Sequence, residues 1–94
     1  QPPFTQLAGI IYSHRNDELC RKEAQRMKQY LCEQKESRGI PNIEIIGPAP
    51  AFIHRRRGQF RWQLVVRGSN PSAFLRDIDV PQGWKIDIDP IGMG

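Results

Sequence analysis

No apolar run in the chain approaches the roughly 20 residues that a spanning helix requires, which excludes a membrane protein. There is no GxxxxGK[ST] segment to cradle the phosphates of a nucleotide, no GxSxG nucleophile elbow and no HExxH zinc helix. Cysteine is scarce, with two in 94 residues, Cys20 and Cys32. Both fall in one helical segment, where twelve residues at about 1.5 Å of rise put them roughly 18 Å apart. That separation forbids a disulfide and a shared zinc ion, even though His14 and His54 would complete the inventory of a zinc site. The expectation is one small buried hydrophobe and one surface thiol in a reducing cytoplasm. The first residues, Gln1-Pro2-Pro3-Phe4, have no initiator Met and no basic-then-apolar pattern of a signal peptide. They read as the edge of a piece from a longer chain.

What is present suits one soluble domain. Hydrophobic residues make up 38%, charged residues 26%, and Gly and Pro number eight each. A chain of this length buries enough surface for one core and not for two, so residues 1–94 are expected to form a single domain. The net charge of +4 is unevenly placed. Residues 54–67 hold five arginines (Arg55, Arg56, Arg57, Arg61, Arg67) and no acid, whereas the chain from Asp77 onward has four Asp against one Lys, Lys85. A local basic cluster on an otherwise balanced domain points to a polyanion, against the simpler reading of a solvated face with internal acidic partners.

The hydrophobic pattern predicts β-α-β-β-α-β. Leu7 to His14 has strand length and is rich in Ile and Tyr. Asn16-Asp17 offers a helix N-cap, and Cys20, Ala24, Met27 and Leu31 then recur at helical spacing, widened by Leu19 and Tyr30. Gly39 and Pro41 stop the helix. Asn42 to Ile46 is a strand, broken by Gly47-Pro48-Ala49-Pro50, which favours an extended polyproline passage. Phe52-Ile53 leads into a basic loop, His54-Arg55-Arg56-Arg57-Gly58. Phe60, Trp62, Leu64 and Val66 share one face of the next strand, and Arg61, Gln63, Val65 and Arg67 the other. Asn70-Pro71 opens a short helix through Phe74, Leu75 and Ile78. After a turn at Val80-Pro81-Gln82-Gly83, Trp84, Ile86 and Ile88 alternate with Lys85, Asp87 and Asp89. Two strands with one apolar and one charged face predict an α+β fold: a four-stranded, mostly antiparallel sheet with both helices on one side and the other side open.

Reactive constellations are absent. His14 has no nucleophile at a recognisable spacing, and geometry must precede any general-base role. Asp87 and Asp89, two apart on one strand face, better serve to offset Arg61 or Arg67 across the open face than as a catalytic carboxylate pair. The sequence therefore carries no catalytic residue. The run Arg57-Gly58-Gln59-Phe60-Arg61-Trp62 interleaves bases and aromatics as RNA-binding strands do. The strand period nevertheless puts Trp62 in the core, with base stacking as the alternative. The candidate nucleic-acid-binding residues are His54, Arg55, Arg56, Arg57, Arg61, Arg67 and Lys85, with the loop arginines the main phosphate contacts.

Several segments together resemble a known family. They are Pro2-Pro3-Phe4, Gly47-Pro48-Ala49-Pro50-Ala51 before an arginine-rich turn, Arg57-Gly58-Gln59-Phe60-Arg61-Trp62-Gln63-Leu64, Asn70-Pro71-Ser72 and Asp87-Ile88-Asp89-Pro90. In order and spacing they are similar to the C-terminal domain of the PriA family, the primosomal protein N′ of bacterial replication restart. The resemblance spans essentially the whole chain. It implies a fold similar to ribosomal protein S10 and a place in an ATP-dependent 3′→5′ DNA helicase that assembles the primosome at stalled forks. It also implies a cytoplasmic, nucleoid-associated protein. Its partners would be forked and single-stranded DNA, the other PriA domains, single-strand-binding protein and primosome proteins. The ATP-binding lobes and the zinc-binding region of that family have no counterpart in these residues, so no cofactor and no catalysis are expected of the chain itself. Family members often carry a basic residue after Pro-Ser, and here it is Ala73. Two functions from different classes follow: a module that grips DNA, or a docking domain that contacts the helicase lobes or single-strand-binding protein. An RNA binder is a third, with its aromatics out of phase.

Overall fold

The computed structural model describes residues 6–87. The elements follow in the order β1 (Gln6–His14), α1 (Asp17–Ser37), β2 (Ile43–Arg56), β3 (Gln59–Gly68), α2 (Pro71–Arg76) and β4 (Trp84–Asp87). The sheet order is β2-β3-β1-β4, with every neighbouring pair antiparallel. This is the split β-α-β arrangement, an α+β fold as the pattern predicts.

Helix α1 begins where Asn16 accepts a hydrogen bond from the Leu19 amide and ends at Ser37, with Arg38 as its C-cap and Gly39 next at a left-handed φ of 64°. Asp17 and Glu18 in its first turn and Lys35 in its last complement the helix dipole. Its buried residues are Cys20, Ala24, Met27 and Leu31, the stripe read from spacing. Tyr30 packs beside them. Leu19 departs from expectation and is 50% exposed. At 100° per residue it lies roughly 110° from the centre of that stripe, too far round to reach the sheet.

Met27 and Leu31 meet Ala8 and Ile10 of β1, Ile43 and Ile45 of β2, Leu64 and Val66 of β3, and Phe74, Leu75 and Ile78 from the α2 region. Helix α2 starts with Asn70 accepting from the Ala73 amide and Pro71 in its first turn. Both helices thus cover one face. Trp84 is buried in the same core and donates its indole N–H to Glu23 of α1 at 2.9 Å. Ile86 was expected inside but is 41% exposed, because β4 is an edge strand with a neighbour on one side only. Ile88, Asp89 and the Pro2-Pro3-Phe4 segment lie outside the described residues.

The main correction concerns β2. Gly47-Pro48-Ala49-Pro50 does not end the strand, which runs 14 residues to Arg56. Proline is tolerated because β2 is an edge strand and its pairing with β3 is interrupted between Ile46 and Ala49 and again between Pro50 and Arg55. Lys28 of α1 anchors the first interruption by donating to the Gly47 carbonyl at 2.7 Å. The hairpin closes through two residues, Arg57 and Gly58, at φ of 56° and 78°. A two-residue turn of this sign matches the right-handed strand twist, and glycine suits its second position.

Candidate nucleic-acid interface

That tight turn decides where the arginines go. His54, Arg55 and Arg56 are strand residues rather than a loop, and only Arg57 sits in the turn. Arg55 pairs with Phe60 and Arg56 with Gln59. Adjacent strand residues point to opposite faces, so Arg55 and Arg56 part company. The Arg55 guanidinium lies over the Phe60 ring, 5.3 Å from its centroid. Arg56 turns to the open face.

The pairing brings further residues to Arg56. Arg61 is opposite Ser13 in the β1–β3 register, and Lys85 is opposite Ile11 in the β1–β4 register. Ile11, Ser13, Arg56, Arg57, Gln59, Arg61 and Lys85 line one basin of about 290 Å³ on the face away from the helices. Four of these seven carry positive charge and none is acidic. The ion pairs among the described residues involve none of those four. Arg61 donates one N–H to the Ile53 carbonyl at 3.2 Å, which holds its stem toward β2 and leaves its other donors available.

His54, Arg55 and Arg67 are placed elsewhere. The His54 ring sits against Phe60 and Trp62, with Nε2 3.1 Å from Asp17 Oδ1. It ties the hairpin to the start of α1. Arg67 pairs with Glu44 across β2 and β3; Asp89 and the side chain of Asp87, the acids expected to offset it, lie outside the described residues. Its strand partner in β1 is Leu7, six residues along from the Ser13–Arg61 pair.

Trp62 is on the helix side, packed against the core and half-buried. Its indole N–H donates to Asp17 Oδ1 at 2.8 Å. That hydrogen bond, followed by one from His54, holds the Asp17 carboxyl below its usual range despite some loss of hydration. The stacking alternative for Trp62 is thereby removed, since its ring edge is committed to the helix. Cys20 is buried, and its thiol donates to the Tyr12 and Phe60 carbonyls; burial pushes its pKa up. Cys32 is half-buried and both thiols are free. His14 Nδ1 accepts from the Asn16 amide at 2.9 Å, a role in the strand-to-helix turn.

The basin is suited to phosphate. Guanidinium groups present paired N–H donors to phosphate oxygens, and Ser13 and Gln59 add neutral hydrogen bonds of the kind that position a nucleic-acid backbone. Ser13, Ile11 and Gln59 escaped the sequence reading. Their signal is pairing, because each becomes a neighbour only once Ser13 is set against Arg61 and Gln59 against Arg56.

Comparison with known proteins gives a consistent result. Residues 1–91 match the family described as the primosomal protein N C-terminal domain. The chain is 32% identical over 66 residues to the replication restart protein PriA of Haemophilus influenzae, a match covering 70% of this chain and 8% of that protein. It is 28% identical over 95 residues to the probable replication restart protein PriA of Deinococcus radiodurans, covering 95% of this chain and 10% of that protein. The chain thus spans about a tenth or less of the length of these relatives.

Proposed function

The chain belongs to the primosomal protein N C-terminal domain family, and on that premise we propose that it is a DNA-contacting domain that holds phosphates on the open face of its sheet. The observation that carries this reading is the basin of Arg56, Arg57, Arg61 and Lys85, drawn from three strands and a turn with no acid among its described lining residues. Positive charge gathered in one basin on the face that the helices leave uncovered favours a polyanion without favouring any base sequence. In this reading the domain adds grip and geometry to a longer replication restart protein acting on forked and single-stranded DNA in the cytoplasm. ATP hydrolysis and strand separation fall to other parts of that protein.

Salt-dependent fluorescence anisotropy of the 94-residue chain with labelled single-stranded, duplex and forked DNA tests the proposal. Four phosphate contacts give a slope of log affinity against log salt of about −3 on single strands and slightly steeper on duplex, with micromolar or weaker binding near physiological salt. Replacing Arg56, Arg57 and Arg61 by Ala flattens the single-strand slope by about two units. An unchanged slope removes the basin from the interface. A folded chain that binds no DNA at any salt would instead favour docking onto protein partners.

A further inference from the structure

The second interruption of β2 carries a feature that the phosphate basin leaves unused. Pro50 pairs with Trp62 and Arg55 with Phe60, so four residues of β2, 51–54, stand opposite a single residue of β3, Arg61. An excess of this kind drives the longer strand outward as a bulge. Ala51 turns inward and is 6% exposed, and His54 is held by Asp17. Between them Phe52 is 99% exposed and Ile53 47% exposed. Phenylalanine is among the residues most often buried, and complete exposure on an edge strand invites unwanted association, so the position calls for an occupant.

The surroundings say which occupant. The Arg61 guanidinium donates to the carbonyl of Ile53, whose Cα lies about 3.8 Å along the chain from that of Phe52. Phe52 therefore stands one residue along β2 from the point where Arg61, a residue of the cationic basin, reaches that strand. Proteins that hold single-stranded nucleic acid join a positive groove for the backbone to aromatic rings on which unpaired bases stack. We propose that Phe52 is such a stacking platform, so that the basin and the bulge together hold single-stranded DNA in preference to duplex. The inference rests on the nucleic-acid reading of the basin and adds to it the class of strand bound. A protein partner is the poorer fit, because the exposed Phe52-Ile53 pair runs directly into His54-Arg55-Arg56-Arg57 and its Ile53 carbonyl is held by Arg61.

The test is anisotropy of the 94-residue chain with a fluorescein-labelled oligothymidylate and with a duplex of equal length. Wild type, Phe52→Ala, Phe52→Leu and Phe52→Trp are compared, with circular dichroism to confirm folding. Phe52→Ala and Phe52→Leu should each weaken single-strand binding about 5- to 100-fold. Duplex binding should stay within about twofold and the salt slope unchanged, because no phosphate contact is removed. Phe52→Trp should retain single-strand affinity. Wild-type affinity for Phe52→Ala, or equal losses on both DNAs, would overturn the platform while leaving the basin in place. Retention by Phe52→Leu would show an apolar contact without stacking and would also overturn it. Absence of salt-dependent binding by the wild type would overturn basin and platform together. Self-association abolished by Phe52→Ala, with single-strand affinity intact, would assign the ring to a second copy of the chain instead.

Discussion

Replacing Trp62 separates the two duties that an aromatic residue in a basic hairpin could have. Its ring packs beside the core and its indole N–H reaches Asp17. Truncating a fully buried Trp to Ala costs about 3–5 kcal/mol, and a half-buried one sits at the lower end, about 3 kcal/mol. In a domain of this size each kcal/mol lowers the melting temperature by about 4–8 °C, so Trp62→Ala should melt roughly 12–24 °C below wild type. Trp62→Phe keeps most of the packing and loses the hydrogen bond, and should fall between the two. Differential scanning calorimetry measures the loss, and anisotropy at 10 °C, where each variant is folded, measures DNA binding. Stability should fall while affinity and salt slope hold, because the residue faces away from the basin. A Trp62→Ala variant with wild-type melting and reduced single-strand affinity would refute the placement and restore the ring as a base platform.

Three further outcomes follow from the same contacts. Asp17, held below its ordinary pKa chiefly by the Trp62 hydrogen bond, contributes stability that is present above its unfolded pKa and is lost as pH falls through the folded one. Asp17→Asn should therefore flatten the acid limb of a melting-temperature profile below about pH 4, and an unaltered limb would remove Asp17 from the link between hairpin and helix. Arg67→Ala breaks an exposed pair with Glu44, which is worth about 0–1 kcal/mol, and should leave the DNA salt slope unchanged; a slope flattened by a full unit would bring Arg67 into the interface. Gly68→Ala would drive its new methyl into the Asn42 carbonyl oxygen and the Ile43 side chain, so chemical denaturation should show a loss of about 1–3 kcal/mol. Wild-type stability there would mean that the start of β2 moves freely.

The elements that local chemistry specifies were legible in the sequence. Asn16 caps α1 and the Cys20–Ala24–Met27–Leu31 stripe faces the sheet, because capping and a 3.6-residue period act within one segment. The strict alternation from Phe60 to Arg67 likewise gave the two faces of β3. What depended on pairing was not legible. Prolines 48 and 50 read as a break, since nothing within the segment says that it lies at a sheet edge, where missing donors are harmless. Arg55, Arg56 and Arg57 looked like one basic loop because their separation follows from a two-residue turn at Arg57-Gly58. Gly at the second turn position was the available clue. His54 and Arg67 looked free because their acidic partners, Asp17 and Glu44, are 37 and 23 residues away in the chain. The exposure of Phe52 was equally hidden, as it arises from an unequal count of residues on two paired strands.

The central claim is that the helix-free face of the sheet is what meets DNA, and amide chemical-shift mapping tests it most directly. A ¹⁵N-labelled chain titrated with a short oligothymidylate should show its largest perturbations at Ile11, Ser13, Arg56, Arg57, Gln59, Arg61 and Lys85. The amides of Cys20 to Leu31 in α1 and of α2 should stay in place. Perturbations that cluster on the helices, or that appear at Arg67 and Glu44 while the basin is silent, would contradict the account.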